Sequence, residues 1–174
     1  MEDTRFWQLI ESGGEEVLHD QERQREHIRE ELVKLKPDEI NDFHRIFNEK
    51  LIAAYSWDLW LAAYWITGGC FDEGFLYFRS WLISRGQLIY EDAIADPDSL
   101  ANVIDTERDD YEFESLWRLP AEVYLELSDE EIPADDIAWP DAPRGTRIDI
   151  EDRKELDRCL PNLAKVCSDC QLSS

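Results

Sequence analysis

The chain has 174 residues, 43% of them hydrophobic, which suffices for one ordinary domain with a true core and excludes disorder throughout. Its 41 acids against 18 bases give a formal net charge of -23, a field that repels phosphate backbones and disfavours direct nucleic-acid binding. The longest uncharged run, Leu59 to Phe71, has 13 residues and is interrupted at Thr67, Gly68 and Gly69, short of the roughly 20 apolar residues a bilayer needs; with Glu2 and Asp3 behind Met1 in place of a basic, apolar leader, a cytoplasmic protein without membrane contact is expected.

At the start, Thr4 is placed to cap a short helix whose apolar side is Phe6, Trp7, Leu9 and Ile10, closed by Gly13 and Gly14. Glu15 to Leu35 reads as one exposed helix with charges alternating at helical spacing, and His19 and His27 along it read as solvated. Pro37, followed by Asp38 and Glu39, marks the first turn of a long helix. Its buried stripe runs through Ile40, Phe43, Phe47, Leu51, Ala54, Tyr55, Leu59, Ala62 and Ile66, with a bend expected near Ser56. Asp58 falls on this stripe.

Gly68 and Gly69 supply a stop, and Asp72 reads as the cap of the following helix, with Phe71 stapled against Leu76. In that helix Phe75, Phe78, Leu82 and Ile83 face inward with Arg79 among them, and a short antiparallel turn would bring Arg79 towards Asp58. Two opposite charges on apolar stripes predict a buried ion pair, because either one alone would be costly. Asp72 and Glu73 also have the chemistry of a metal or general-base pair, although a cap and a first-turn acid account for both without it. The aromatics Trp57, Trp60, Tyr64, Trp65, Phe75, Phe78 and Trp81 are read as core, with a ligand pocket as the competing reading.

This central stretch, WDLWLAAYWITGGCFDEGFLYFRSWLISRG, preceded by RFWQLIE and followed by DPDSL at 96 to 100, resembles an uncharacterised bacterial family, domain of unknown function 4240. The resemblance covers residues 1 to 127. It implies a bacterial domain without an established activity, and it carries no catalytic residues across. Pro120 departs from the helix expected of the family, and from Ile132 onwards there is no similarity.

After Gly86 a helix through Leu88, Ile89, Ala93 and Ile94 leads to Asp96 and Pro97, a second cap and first-turn proline. Asp105, Glu107, Asp109, Asp110, Glu112 and Glu114 then surround the lone Arg108, too many acids to pair locally. Leu116, Trp117, Val123, Tyr124 and Leu127 resume helical spacing, with Pro120 kinking or restarting the helix. Prolines 133, 140 and 143 with Gly145 mark an irregular connection anchored by Ile137 and Trp139, and Asp149 to Val166 allows a last helix broken at Pro161. Charge is uneven: residues 87 to 157 carry 23 acids against 6 bases, whereas residues 1 to 86 carry 17 against 10. Cys167 and Cys170 are half of a zinc or redox motif, with Cys159 and Cys70 as conceivable completions, but without a second CxxC pair reduced thiols are the expectation.

No phosphate loop, HExxH or GxSxG motif occurs. The expected fold is all-α: a helical domain over 1 to 127 with six or seven helices, then an acidic, proline-marked tail over 128 to 174 that the domain does not need. The expected role is non-catalytic, an interaction or regulatory protein, of inhibitor or immunity type, holding a basic protein partner through Asp105, Glu107, Asp109, Asp110, Glu112 and Glu114. No cofactor or metal is expected. The alternative is an enzyme or metal-binding domain built on Asp58, Asp72, Glu73 and Arg79.

Overall fold

The computed structural model describes residues 1–18, 20–105 and 110–171, and among these the chain is all-α. The elements are α1 (Asp3–Ile10), α2 (Glu15–Leu18), α3 (Gln21–Leu32), α4 (Pro37–Ala53), α5 (Trp57–Thr67), α6 (Asp72–Ser84), α7 (Gln87–Ala95), a 3-10 helix (Pro97–Asn102), α8 (Glu114–Ser128), α9 (Arg153–Cys159) and α10 (Pro161–Gln171). Among the described residues up to 127, eight α-helices and the 3-10 helix exceed the expected six or seven because two long predicted helices are each split, while the helix expected near the end is present as α9 and α10, broken at Pro161.

The splits have local causes. Asp20 accepts a bond from the Arg23 N–H, which starts α3 afresh after the single turn of α2. Ser56 does the same for α5 by accepting from the Leu59 N–H, so the stripe from Pro37 to Thr67 is two helices joined at Ser56 rather than one bent helix. Gly68, with φ of 74°, closes α5 in the left-handed conformation that glycine adopts without steric cost. Asp72 is the first residue of α6 rather than its cap, and Phe71, at 70% exposure, is not stapled into the core. Pro120 sits inside α8 without ending it. Thr4 likewise lies inside α1, whose capping position is Glu2.

α6 is the shared member of the packing: it contacts α4, α5, α7 and α8, while α8 also lies across α3 and α4. Phe75, Phe78, Trp81, Leu82 and Ile83 of α6 are buried at its centre. Burying each large side chain of this kind contributes roughly 1.5 to 3 kcal/mol.

α5 is apolar on nearly every side, and a helix of that kind must be covered on more than one face. The segment past 128 provides the second cover. α9 and α10 pack on α5, and α10 also packs on the 3-10 helix. Leu156, Leu160, Leu163, Ala164 and Cys167 belong to the same buried cluster as Phe6 and Phe47. The segment expected to be a dispensable tail therefore contributes to a single helical body, although residues 129–152 lack regular helix as anticipated. Asp98 fastens this closure: its buried carboxylate accepts the backbone N–H groups of Asn162 and Leu163, at 3.0 and 2.8 Å, and the Asn162 side-chain amide at 2.8 Å, capping α10 from another element. No helix is long and apolar enough to cross a membrane among the described residues.

Candidate functional site

The expected ion pair between Asp58 and Arg79 does not form. Arg79 is 5% exposed, and its Nη1 donates to the Leu51 carbonyl at 2.7 Å while Nε donates to the Phe75 carbonyl at 3.2 Å. Its guanidinium lies 4.7 Å from the ring centres of both Tyr55 and Phe75. Arg79 thus binds a carbonyl in the last turn of α4, where orphan acceptors and the negative end of the helix dipole substitute for a carboxylate. Burial pulls its pKa down to about 10, with the nearby Tyr55, Tyr90 and Asp72 opposing that shift. Two more groups close the same turn: the Tyr90 hydroxyl donates to Lys50 O at 2.8 Å and Arg144 Nη2 to Ala53 O at 3.0 Å. Asp58 is exposed in the first turn of α5, where the dipole favours an acid, and its charge acts on Arg158 and Cys159.

A cleft of about 580 Å³ opens beside this turn, between the start of α5, the start of α6 and residues 147–151. Its wall is a ladder of rings. Trp57 stacks on Trp60 at 5.5 Å with planes 13° apart, and Trp60 stacks on Phe75 at 5.0 Å and 12°. The Trp60 indole N–H donates to Cys70 O, which fixes the ring. Phe71 and Asp72 form one lip, and Asp149 and Glu151 the other. The second lip is held in register by a backbone bridge: Arg144 N donates to Tyr55 O at 2.8 Å and Trp57 N to Arg144 O at 3.1 Å, while Ile148 is buried a few residues on. Between these anchors Arg147 places its guanidinium 5.9 Å from the Trp57 ring centre. The aromatic stripe is accordingly core at Phe75, Phe78 and Trp81, cleft wall at the half-buried Trp57, and both at Trp60.

The four residues of the alternative catalytic or metal constellation do not converge. Asp58 faces α9, Glu73 accepts from the Tyr77 hydroxyl at 2.9 Å, and only Asp72 is electrostatically felt at Arg79. No group of three or more metal-ligating side chains comes together among the described residues. Cys70 is buried, with its thiol pushed up to about 11 by that burial, and the Cys167 thiol points to Trp65 O. The Cys170 side chain and His19 lie outside what is described. His27 is half-buried with Nε2 unpartnered, rather than solvated.

The acidic run divides. Asp105 and Asp110 are exposed, whereas Glu107 and Asp109 lie outside the described residues. Glu114 is exposed and paired with Arg118 at 2.6 Å. Glu112 is half-buried beside Gly74, and burial together with Asp110 and Glu73 raises its pKa. No motif or spacing in the sequence points to Arg147, Asp149, Glu151 or Asp98 as site residues. A signal for the lip does exist, because Arg147-Ile148-Asp149-Ile150-Glu151 alternates charged and apolar residues, the pattern of an extended segment with one face inward.

No curated protein and no solved structure matches the chain. The family model described as "Protein of unknown function (DUF4240)" matches residues 1–126, which include the Trp57 wall of the cleft and Asp98 but not the 147–151 lip. The chain belongs to the DUF4240 family.

Proposed function

We propose that this protein is a non-catalytic interaction module, of inhibitor or immunity type, which binds a basic protein partner through its acidic surface. The observation that carries this reading is the surplus of exposed carboxylates in the second half of the chain. Asp129, Glu130, Glu131, Asp136 and Asp141 are exposed, and none makes an ion pair among the described residues. Of the acids in this half that are paired, Glu122 with Arg25 and Glu126 with Arg29 hold α3 to α8, the latter at 2.6 Å, whereas Glu114, Glu155 and Asp157 pair within their own helices. An unpaired surplus of one sign accelerates encounter with an oppositely charged protein and is weakened by salt. A catalytic or metal-binding reading has less support, because Asp58, Asp72, Glu73 and Arg79 point to different surroundings.

The test is capture of binding proteins from the native host by the immobilised protein at low and high salt, beside a variant with Asp129→Asn, Glu130→Gln, Glu131→Gln and Asp136→Asn. The expected result is a basic protein, identified by mass spectrometry, that is lost at high salt and depleted in the variant. Equal capture by the variant at every salt concentration would remove the electrostatic reading.

A further inference from the structure

We infer that the cleft between Trp57 and the 147–151 lip is where this module receives an arginine side chain of its basic partner, and that Arg147 is a resident stand-in for it. The inference rests on the reading above and specifies its site. The outermost ring of the Trp57–Trp60–Phe75 ladder offers a half-buried indole face, the strongest aromatic partner for a cation, and the chain itself lays a guanidinium over that face at 5.9 Å. Three carboxylates, Asp72, Asp149 and Glu151, line the same cleft, and none makes an ion pair among the described residues. Asp149 spends one oxygen on the Glu151 N–H, while no hydrogen bond to the side chains of Asp72 or Glu151 is seen among the described residues. One arginine therefore leaves the cleft with an excess of negative charge. At about 580 Å³ it also has room for a long side chain to enter as Arg147 gives up the Trp57 face. Phe71, 70% exposed at the lip, supplies apolar surface for the stem of such a side chain. Arginine fits better than lysine because a planar guanidinium stacks on an indole and still presents its edge to carboxylates, whereas an ammonium is a strongly hydrated point charge. Arg147 lies on an exposed segment anchored at Arg144 and Ile148, so it can yield its place without disturbing the fold.

The probe is a Gly-Arg repeat hexapeptide, with its lysine and citrulline counterparts as controls, titrated into the full chain while the Trp57 indole N–H resonance is followed and assigned with Trp57→Phe. The arginine peptide is expected to shift that resonance saturably, the lysine peptide to bind several-fold more weakly, and the neutral citrulline peptide not to bind. Trp57→Ala, which lacks that resonance and is therefore titrated by calorimetry beside the unaltered chain, should weaken the arginine peptide about tenfold. Arg147→Ala, which removes the competitor from an exposed position, should strengthen binding several-fold, an outcome that a purely structural Arg147 would not produce. Binding that is unchanged in both variants, or equal for citrulline, overturns the assignment. If host-partner capture stays salt-sensitive while Trp57→Ala and Arg147→Ala leave it unaltered, the cleft assignment falls and the acidic-surface reading stands. If the arginine peptide binds as described but no basic partner is captured, the cleft is an arginine site and the acidic-surface reading falls.

Discussion

A buried cation with no carboxylate partner is costly unless its donors meet acceptors, and Arg79 meets two backbone carbonyls and two ring faces. Arg79→Ala should therefore destabilise the protein by about 2 to 4 kcal/mol, through a cavity between Tyr55 and Phe75 and an orphaned Leu51 carbonyl. Asp58→Ala should change stability by less than about 0.5 kcal/mol, as for other surface positions. Paired denaturant titrations check both, and a large loss on Asp58→Ala would restore the ion pair that the apolar stripes predicted.

Glu112 makes a pH-dependent prediction. Its folded pKa is raised above the ordinary 4.5 by burial, Asp110 and Glu73, so ionisation is harder in the folded than in the unfolded chain. The ionised group thus costs stability above the folded pKa, and that cost disappears as pH falls below the unfolded value. Glu112→Gln should accordingly raise the Tm at pH 7, with the gain shrinking towards zero below about pH 4. A gain that persists unchanged at low pH would point to packing instead of charge.

At the scale of elements, the docking of α9 and α10 depends on one carboxylate and a few leucines. Asp98→Ala leaves the N–H groups of Asn162 and Leu163 without their acceptor, which should cost about 1 to 3 kcal/mol and increase hydrogen exchange selectively in α10. Truncation after Leu127 removes the buried Leu156, Leu160 and Leu163 and uncovers the second face of α5. The truncated chain is expected to lose its cooperative transition or to aggregate. A sharp thermal transition in that chain would show that residues 1 to 127 suffice, which is what the sparse apolar content of the segment suggests before its contacts are known.

For the whole molecule the governing quantity is the net charge of -23. Like charges at this density repel one another in the compact state, and a Debye length of about 8 Å at physiological salt screens only part of that repulsion. The Tm should therefore rise with sodium chloride from low to physiological ionic strength. A fall on adding salt would mean that the pairs holding α3 to α8, such as Arg29 with Glu126, outweigh the repulsion.

Much of the architecture depends on periodicity and caps, which are local and therefore written in the chain. Pro37, Gly68, and Asp96 with Pro97 mark helix boundaries because backbone conformation and end-group satisfaction are settled within a few residues. The apolar stripes of α4 and α6 identified Phe43, Phe47, Phe75 and Phe78 as core for the same reason. Even the need for a second cover over α5 is legible in WDLWLAAYWIT, which has no polar face. What only the tertiary structure decided is which distant group satisfies each buried polar atom. Arg79 found the carbonyl of Leu51, Asp98 found the start of α10, and Arg147 found the face of Trp57 across contacts that no spacing rule encodes. A charge on an apolar stripe announces that it needs a partner. The identity of that partner depends on how the helices cross, because hydrogen bonds and cation–π contacts act over a few ångströms between residues far apart in the chain.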